Sequence, residues 1–183
     1  MRHLRFSKGK NMNLLDYLPG IPDFPKPGIL FRDISPLLGN PQAFRYAIEQ
    51  MAQLAKDWEY THILGIESRG FIFASALAHR EHKSLVLVRK PGKLPLVTHK
   101  AFYGLEYGTD SLELQASSLP IGSRVLIVDD VLATGGTILA VASLVNQVGS
   151  KVFGALCLLE IHGLGGQIQL EKKQIPSKFI LSL

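Results

Sequence analysis

Hydrophobic residues recur along this chain in two alternating patterns. Short runs of branched apolar residues have the length of buried strands and occupy 62–66, 85–88, 125–128 and 152–159. Apolar residues spaced three and four apart predict helices over 41–58, 71–82 and 137–148, with a shorter helix over 14–18. Because strands and helices alternate at this spacing, the pattern predicts an α/β fold with a central, mainly parallel sheet flanked by helices.

A longer segment, 90–114, interrupts the alternation. It holds prolines and glycines among aromatic and charged residues, and a long insertion inside a compact domain is usually functional or disordered. Residues 97–103 and 109–114 have the composition of two pairing strands, with the turn at or near 105–108. We therefore expect a flexible hairpin that acts as a lid over a site at the sheet edge.

Composition and charge restrict the choice of partners. A chain of 183 residues, 46% hydrophobic and 19% charged, fits one well-cored globular domain. The net charge of +5 is concentrated in 1–11, a basic extension with four cations and no acid, which leaves only +1 for 12–183. We expect this extension to be disordered, and the sequence does not decide between Met1 and Met12 as the start. A nucleic-acid partner is not expected, because the excess charge lies in a short tail.

Cysteine use and hydropathy bear on the compartment. Cys157 is the one cysteine, so it forms no intramolecular disulfide, and its apolar neighbours predict a small buried side chain. The N-terminus lacks the apolar region of a signal peptide, and no stretch reaches the roughly 18 apolar residues of a membrane span. The expected compartment is the cytoplasm, with no membrane partner.

The most informative segment is 125–137. A buried strand leads into two adjacent carboxylates, Asp129 and Asp130, then into a small-residue loop and a helix. Free backbone N–H groups and a helix N-terminus favour a phosphate in the loop at 133–137. The acidic pair would repel that phosphate, unless it engages ribose hydroxyls or a magnesium ion attached to the same ligand. The alternative, a strand and glycine turn with no ligand, would leave two buried acids without a use.

Two further segments follow predicted strands. Glu67-Ser68-Arg69-Gly70 offers backbone amides, a hydroxyl and a guanidinium suited to phosphate oxygens, although a helix-capping serine beside an exposed arginine is the alternative. Residues 89–93 form a basic cluster, which is ordinarily a solvated loop. Beside a diphosphate, the same charges would neutralise a leaving group.

Together these motifs resemble a known family. Asp-Asp-Val-Leu-Ala-Thr-Gly-Gly-Thr at 129–137 is similar to the phosphoribosyl pyrophosphate (PRPP) signature of type I phosphoribosyltransferases, and its second half resembles that of the members that act on adenine. A P-loop and a Gly-x-Gly-x-x-Gly fingerprint are both missing. The resemblance implies a type I phosphoribosyltransferase fold in a single domain over 12–183, with a hood over about 12–40 and a lid over about 90–114.

The resemblance also implies roles for individual residues. The 5′-phosphate of PRPP would be bound by Ala133, Thr134, Gly135, Gly136 and Thr137, and the ribose and magnesium by Asp129 and Asp130. Pyrophosphate would be bound by Glu67, Ser68, Arg69, Lys90 and Lys93, with a cis peptide at 67–68. Adenine would be bound by Leu30, Phe31 and Arg32. Glu106 would be the catalytic acid/base that moves the adenine proton.

The implied reaction transfers the phosphoribosyl group of PRPP to adenine, giving AMP and pyrophosphate. Mg²⁺ would be held mainly by PRPP, without a dedicated protein cage, and the family usually forms homodimers. Two alternatives stay open: the same chemistry on another base such as hypoxanthine, guanine or xanthine, and a PRPP-sensing regulatory module without catalysis.

Overall fold

The computed structural model describes residues 12–105 and 108–183. Its internal contacts divide the chain into two compact units, one ending at Glu49 and the other spanning Gln50–Leu183. The boundary lies inside helix α2, Pro41–Ala55. The single domain expected for 12–183 stays a prediction, and the expected disorder of 1–11 lies outside the described residues.

The first unit is built from short elements. They are a 3-10 helix Leu14–Tyr17, strands β1 (Gly20–Pro22) and β2 (Leu30–Arg32), helix α1 (Ser35–Gly39) and the first turns of α2. β1 and β2 pair antiparallel. A side-chain cap marks the start of α2, where Asn40 Oδ1 accepts the Ala43 N–H at 2.9 Å. Just before α1, Asp33 Oδ1 accepts the Ser35 N–H at 2.8 Å. The short helix predicted over 14–18 is confirmed as the 3-10 helix Leu14–Tyr17, whose N-cap Asn13 accepts the Leu15 N–H at 3.3 Å.

Helix α2 is shorter than its sequence pattern suggested. The prediction ran to residue 58, but the helix ends at Ala55. The chain then turns, with the Trp58 N–H donating to the Ala55 carbonyl at 2.9 Å. The reason is packing: the Trp58 indole lies 2.6 Å from the position that a Cβ at Gly154 would take. The missing side chain at Gly154 therefore gives the ring its place against β8.

The second unit is a seven-stranded sheet with helices. Its strands are β3 (His62–Ile66), β4 (Ser84–Arg89), β5 (Thr98–Leu105), β6 (Gly108–Gln115), β7 (Arg124–Leu132), β8 (Lys151–Glu160) and β9 (Ser177–Ser182). Its helices are α3 (Gly70–Glu81), α4 (Gly136–Gln147) and α5 (Gly166–Lys172). The strand order is β5-β6-β4-β3-β7-β8-β9, and only the pairs that involve β6 are antiparallel. A mainly parallel sheet with flanking helices is thus confirmed.

The sheet is buried on both faces, and the larger cluster of buried residues lies on the face covered by α4. Alternate strand residues such as Leu64, Val86 and Ile127 point to this face and bury against Val141 and Val145 of α4. Such burial contributes about 1.5–3 kcal/mol for each large aliphatic side chain. Among the other buried residues is Cys157, 2% exposed, as its apolar neighbours predicted.

The hairpin β5–β6 is part of the sheet. β6 joins the end of β4 through two register pairs, Val88 with Leu114 and Arg89 with Glu113. Ala101, Leu112 and Leu114 of the hairpin are buried in the core. The two-stranded hairpin expected from the sequence is confirmed, whereas its action as a lid stays a prediction. Glu106, between the two strands, lies outside the described residues.

The last twenty residues, which suggested no element from sequence, form α5 and β9. Leu170 and Ile175 bury in the core, and β9 extends the sheet beside β8 in parallel. A cavity of about 710 Å³ there is lined by residues of α4 and of the segment after α5, among them Leu139, Ala142, Lys173 and Gln174. None of the described helices is long and apolar enough to cross a membrane.

Candidate active site

The strand that carries the acidic pair is longer than expected. The pattern predicted an end at residue 128, but β7 continues through Asp129 and Asp130 to Leu132. β8 runs to Glu160 and keeps pairing with it, Val131 opposite Leu159. The carboxylates therefore stand within the ladder near the carboxyl end of β7, where main-chain hydrogen bonds fix their positions.

The predicted phosphate loop forms a small cavity. The chain leaves β7 at Leu132, turns at Gly135 with φ +84°, and enters α4 at Gly136. The cavity has a volume of about 50 Å³ and is lined by Val131, Leu132, Ala133, Thr134, Gly135, Thr137 and Ile138. It lies at the N-terminus of α4, where the first N–H groups lack helical partners and the helix dipole favours an anion. A small charged group such as a phosphate suits it.

The start of α5 supports this loop from behind. A Cβ at Gly166 would lie 2.2 Å from the Ala133 carbonyl oxygen, and one at Gly135 would lie 3.1 Å from the Gly166 oxygen. The Ile161 N–H also donates to the Leu132 carbonyl at 2.9 Å. Backbone packs directly on backbone here, so the shape of the loop depends on a segment well beyond it along the chain.

The acidic pair is held by its neighbours. Arg69 Nη2 lies 2.8 Å from Asp130 Oδ2, and Asp130, 5% exposed, is buried. Asp129 Oδ1 accepts the Asp130 N–H at 2.9 Å. Burial, and then the charge of Asp130, raise the pKa of Asp129 well above its ordinary value. Burial also raises the pKa of Asp130, against the opposing effect of Arg69.

The turn after β3 brings α3 against this pair. The Glu67–Ser68 peptide bond is cis, as the resemblance predicted. Arg69 precedes the first residue of α3, and a Cβ at Gly70 would lie 2.8 Å from Asp129 Oδ1 and 2.9 Å from the Val128 carbonyl. Glycine at position 70 therefore lets the turn approach the carboxylates closely.

Glu67 organises the basic loop at 89–93. Its carboxylate accepts the Lys90 N–H at 2.8 Å and both Arg89 Nε and Nη2 at 3.2 Å, while Arg89 Nη1 donates to the Lys93 carbonyl at 3.1 Å. Burial acts to raise the pKa of Glu67, but the hydrogen bonds from Lys90 and Arg89 lower it below its ordinary value. Glu67 is thus ionised at neutral pH and faces cations of its own chain.

The hairpin supplies two more carboxylates to the same loop. Lys90 Nζ forms an ion pair with Asp110 and donates to Tyr103 Oη at 3.1 Å. Glu113, 6% exposed, accepts the Gly92 N–H at 3.1 Å and pairs with Lys100 Nζ at 3.0 Å. The Lys100 ammonium, then the Gly92 N–H, lower the pKa of Glu113.

Adjacent strands explain which predicted residues meet. β3 lies between β4 and β7, with Ile66 opposite Val88 and Gly65 opposite Val128. The carboxyl ends of these three strands therefore bring the 67–69 turn, the basic loop, the acidic pair and the phosphate loop to one sheet edge. Leu30, Phe31 and Arg32 lie on β2 of the first unit. Among the described residues, no group of three or more His, Cys, Asp or Glu side chains is placed to hold a metal.

Several residues that shape the site were not predicted as site residues. They are Gly70, Tyr103, Asp110, Glu113 and Gly166. Glu113 carried a signal, because a lone charge between Leu112 and Leu114 must face the other side of the sheet from the core. Gly166 carried none, since its contact is made across the fold.

Comparison with known proteins then identifies the family. The sequence model described as the phosphoribosyl transferase domain matches residues 33–180. This chain belongs to the phosphoribosyltransferase family. Its fold is the type I phosphoribosyltransferase fold, and it is a phosphoribosyltransferase enzyme.

Relatives within the phosphoribosyltransferases are similar over nearly their whole length. A curated adenine phosphoribosyltransferase of Polynucleobacter asymbioticus is 64% identical over 93% of this chain and 99% of its own. The crystal structure of adenine phosphoribosyltransferase from Thermoanaerobacter pseudethanolicus has a TM-score of 0.90 and 43% identity, covering 93% and 98% of the two chains. The Saccharomyces cerevisiae enzyme, complexed with an imino-altritol bisphosphate and adenine, has a TM-score of 0.84 and 37% identity, covering 91% and 95%.

Proposed function

We propose that the chain transfers the 5-phosphoribosyl group of PRPP to adenine, giving AMP and pyrophosphate in purine salvage. The observation that carries the proposal is the phosphate-sized cavity at 131–138 beside the acidic pair, in a chain similar to adenine phosphoribosyltransferases. The similar Saccharomyces cerevisiae enzyme was crystallised with adenine bound. PRPP carries a phosphate, a ribose and a diphosphate, and the sheet edge offers a matching group for each.

The 5′-phosphate anchors the substrate in this mechanism. Backbone N–H groups of 133–137 donate to its oxygens, and the hydroxyls of Thr134 and Thr137 add to them. Gly135 and Gly136 leave these amides unobstructed. Fixing one end of PRPP in this way converts the reaction with a second bound substrate into a nearly unimolecular step.

Asp129 and Asp130 act on the ribose. Their carboxylates accept hydrogen bonds from the ribose hydroxyls and orient the anomeric carbon. Oxygen donors of this kind also fit Mg²⁺, which prefers carboxylates, waters and substrate phosphates. We propose Mg²⁺ as the cofactor, held mainly by PRPP with Asp129 and Asp130 beside it. When bound, it neutralises negative charge on the diphosphate.

The leaving diphosphate is bound by Ser68, Arg69, Lys90 and Lys93. As the bond from the anomeric carbon to the diphosphate breaks, negative charge grows on the departing oxygens and positive charge on the ribose. Cations fixed before the reaction stabilise that charge without reorganising, which is usually the largest single contribution to catalysis. That Glu67 also binds pyrophosphate stays a prediction, and its contacts with Arg89 and Lys90 support a role in shaping the loop.

Adenine recognition is assigned to strand β2 of the first unit. The Phe31 ring offers a stacking face and makes an edge contact with Phe24, with ring centroids 5.0 Å apart. Leu30 and Arg32 offer main-chain groups that read the edge of the base. Glu106 is the proposed acid/base for the adenine proton, a role that the sequence alone supports.

We also propose a cytoplasmic homodimer. Leu85 and Leu87 alternate along β4 with the buried Val86 and Val88, so both point away from the α4 face. They are 39% and 37% exposed, and Ile72 of α3 is 37% exposed. We propose that these residues belong to one apolar patch at the interface between two copies of the chain. A single buried cysteine is in keeping with a reducing compartment.

The decisive experiment is an assay of nucleotide formation. The protein is incubated with PRPP, Mg²⁺ and adenine, hypoxanthine, guanine or xanthine in turn. We expect AMP from adenine and no comparable product from the 6-oxopurines. Turnover of a 6-oxopurine alone would move the chain to another base, and PRPP binding without turnover of any base would favour the regulatory module.

A further inference from the structure

The side chain of Lys90 belongs to two parts of the molecule at once. It extends from the end of β4, in the basic loop, and its ammonium is bound by the hairpin. Nζ pairs with Asp110 and donates to Tyr103 Oη, and that hydroxyl donates to Asp110 Oδ2 at 3.0 Å. Nζ also lies 5.6 Å from the centre of the Tyr103 ring. Lys90 is therefore held by an anion and a hydroxyl.

Main-chain pairing does not explain this contact. The ladder between β4 and β6 contains two register pairs, and the second is Arg89 with Glu113. Tyr103 and Asp110 stand opposite each other further along the hairpin. Past Arg89, the hairpin is linked to the basic loop by side chains, at Lys90 with Asp110 and at the Gly92 N–H with Glu113.

The two side-chain links differ in whether an incoming anion can replace the carboxylate. Glu113 is buried and accepts a backbone N–H, so its contact has no competitor from solvent. The Lys90 and Asp110 side chains are 40% and 28% exposed. An incoming anion can reach this pair, and a diphosphate offers Lys90 more negative charge than one carboxylate.

If Asp110 and a diphosphate both bind the Lys90 ammonium, the two anions lie close together and repel each other. Two like charges around one ammonium repel, and the repulsion is stronger near a protein surface than in bulk water. If the diphosphate takes Lys90, the Asp110 carboxylate loses its ion pair and the hairpin loses its exchangeable link to the loop.

We propose that Asp110 is an internal counter-ion that occupies Lys90 in the absence of diphosphate and is displaced when diphosphate binds. The inference rests on the proposed function, because it takes Lys90 as a diphosphate ligand. Asp110 is then a positioning residue: it lowers the affinity of the site for diphosphate and releases the hairpin when that site fills. When only a fraction of the molecules has the site available, the apparent Kd equals the intrinsic Kd divided by that fraction.

Four proteins test the proposal: the native chain, Asp110→Asn, Lys90→Met, and the double variant. Magnesium pyrophosphate is titrated into each by calorimetry, and KM is measured for PRPP and for adenine. Asp57→Asn is the control, because it removes the same charge from an exposed residue that precedes β3. Its Oδ2 atom lies 3.9 Å from Lys178 Nζ. Thermal unfolding of each variant checks that it is folded.

Asp110→Asn is expected to bind pyrophosphate about threefold more tightly, the factor that corresponds to an ion pair of this exposure. KM for PRPP should fall by a similar factor, while KM for adenine stays the same. A purely structural role would not separate the two KM values in this way. Asp57→Asn should bind pyrophosphate like the native chain.

Unchanged or weaker pyrophosphate binding by Asp110→Asn would overturn the proposal, and so would a gain that persists on the Lys90→Met background. In either case the proposed function stands as long as Lys90→Met itself weakens pyrophosphate binding by about tenfold or more, the loss expected for one charged contact. If Lys90→Met binds pyrophosphate normally, the assignment of Lys90 in the proposed function fails, and this inference with it.

Discussion

The acidic pair on β7 sets function against stability. Two adjacent carboxylates share a largely buried position, and only one of them lies beside Arg69 in an ion pair. Burial and mutual repulsion raise the pKa of Asp129, so the folded protein holds this proton more tightly than the unfolded chain does. The contribution of Asp129 to stability therefore falls as the pH rises from the ordinary aspartate value of 3.8 toward the raised value.

Asp129→Asn is expected to stabilise the protein and to disable it. The amide oxygen can still accept the Asp130 N–H, while the buried charge is gone, so the free energy of unfolding at pH 7.5 should rise by about 1 kcal/mol. The gain should shrink toward pH 4. Turnover should fall by about tenfold or more as the ribose loses a charged acceptor. Urea unfolding and the AMP assay measure the two effects, and a loss of stability at pH 7.5 would contradict this account.

Gly70 is a site where one methyl group matters. Gly70→Ala would place a Cβ 2.8 Å from Asp129 Oδ1 and 2.9 Å from the Val128 carbonyl, so the start of α3 must move. We expect a loss of about 2 kcal/mol, as for overpacking of a tight site, together with a higher KM for PRPP. Gly39→Ala is the matched control, because nothing lies within 4 Å of a Cβ there. Equal unfolding midpoints for the two variants would refute the close approach.

Residue types in the site could be predicted from sequence, whereas their partners could not. Asp129, Asp130 and the 133–137 loop were identified because acids and glycines beside a buried strand need a use. The bonds of Glu67 to Arg89, and of Lys90 to Asp110, join residues about twenty positions apart. No spacing rule describes such pairs, since the strand order that creates them is itself a property of the fold.

The basic loop at 89–93 is held in place by carboxylates that accept its backbone N–H groups. Read from the sequence, 89–93 is a run of cations. In the structure Glu67 and Glu113 accept its backbone N–H groups and so fix its path between β4 and the hairpin.

Glu67→Gln should loosen this loop in a pH-dependent way. The pKa of Glu67 is lowered from 4.5, so its contribution to stability is present above that value and is lost as the pH falls through the lowered pKa. We expect the variant to lose about 1 kcal/mol at pH 7 and less at pH 3, with a higher KM for PRPP. Urea unfolding at both pH values tests this. The exposed Glu171 provides Glu171→Gln as a control, and a pH-independent loss would argue against the charge.

Helices and strands with a clear period of hydrophobic residues have bounds within a few residues of those predicted. The exceptions have physical causes. β3 has the predicted bounds, because the buried run 63–66 is bordered by His62 on one side and Glu67 on the other. α2 ends early because Trp58 packs against Gly154. β9 was missed because its residues are only half buried, so no alternation marks it. Its signal was the short apolar run that follows Pro176.

Across the whole molecule, the apolar strand residues of β4 predict self-association. Leu87→Glu places a charge on the strand face that also carries Leu85. A buried unpaired charge at an interface is costly. We expect the native chain to sediment as a dimer and the variant as a monomer at micromolar concentration. Ile168→Glu on α5, at a residue 57% exposed, is the control and should stay dimeric. A native chain that sediments as a monomer would reject the proposed assembly.

The backbone contact between Gly166 and Ala133 has a consequence for attempts to re-engineer this enzyme. Libraries that vary the tail after β8 would leave every predicted catalytic residue untouched, yet any side chain at 166 would push on the loop that we propose binds the sugar phosphate. Selections for a new nucleobase should therefore recover only glycine there. Diversity is better placed at 30–32, among the residues proposed to read the base.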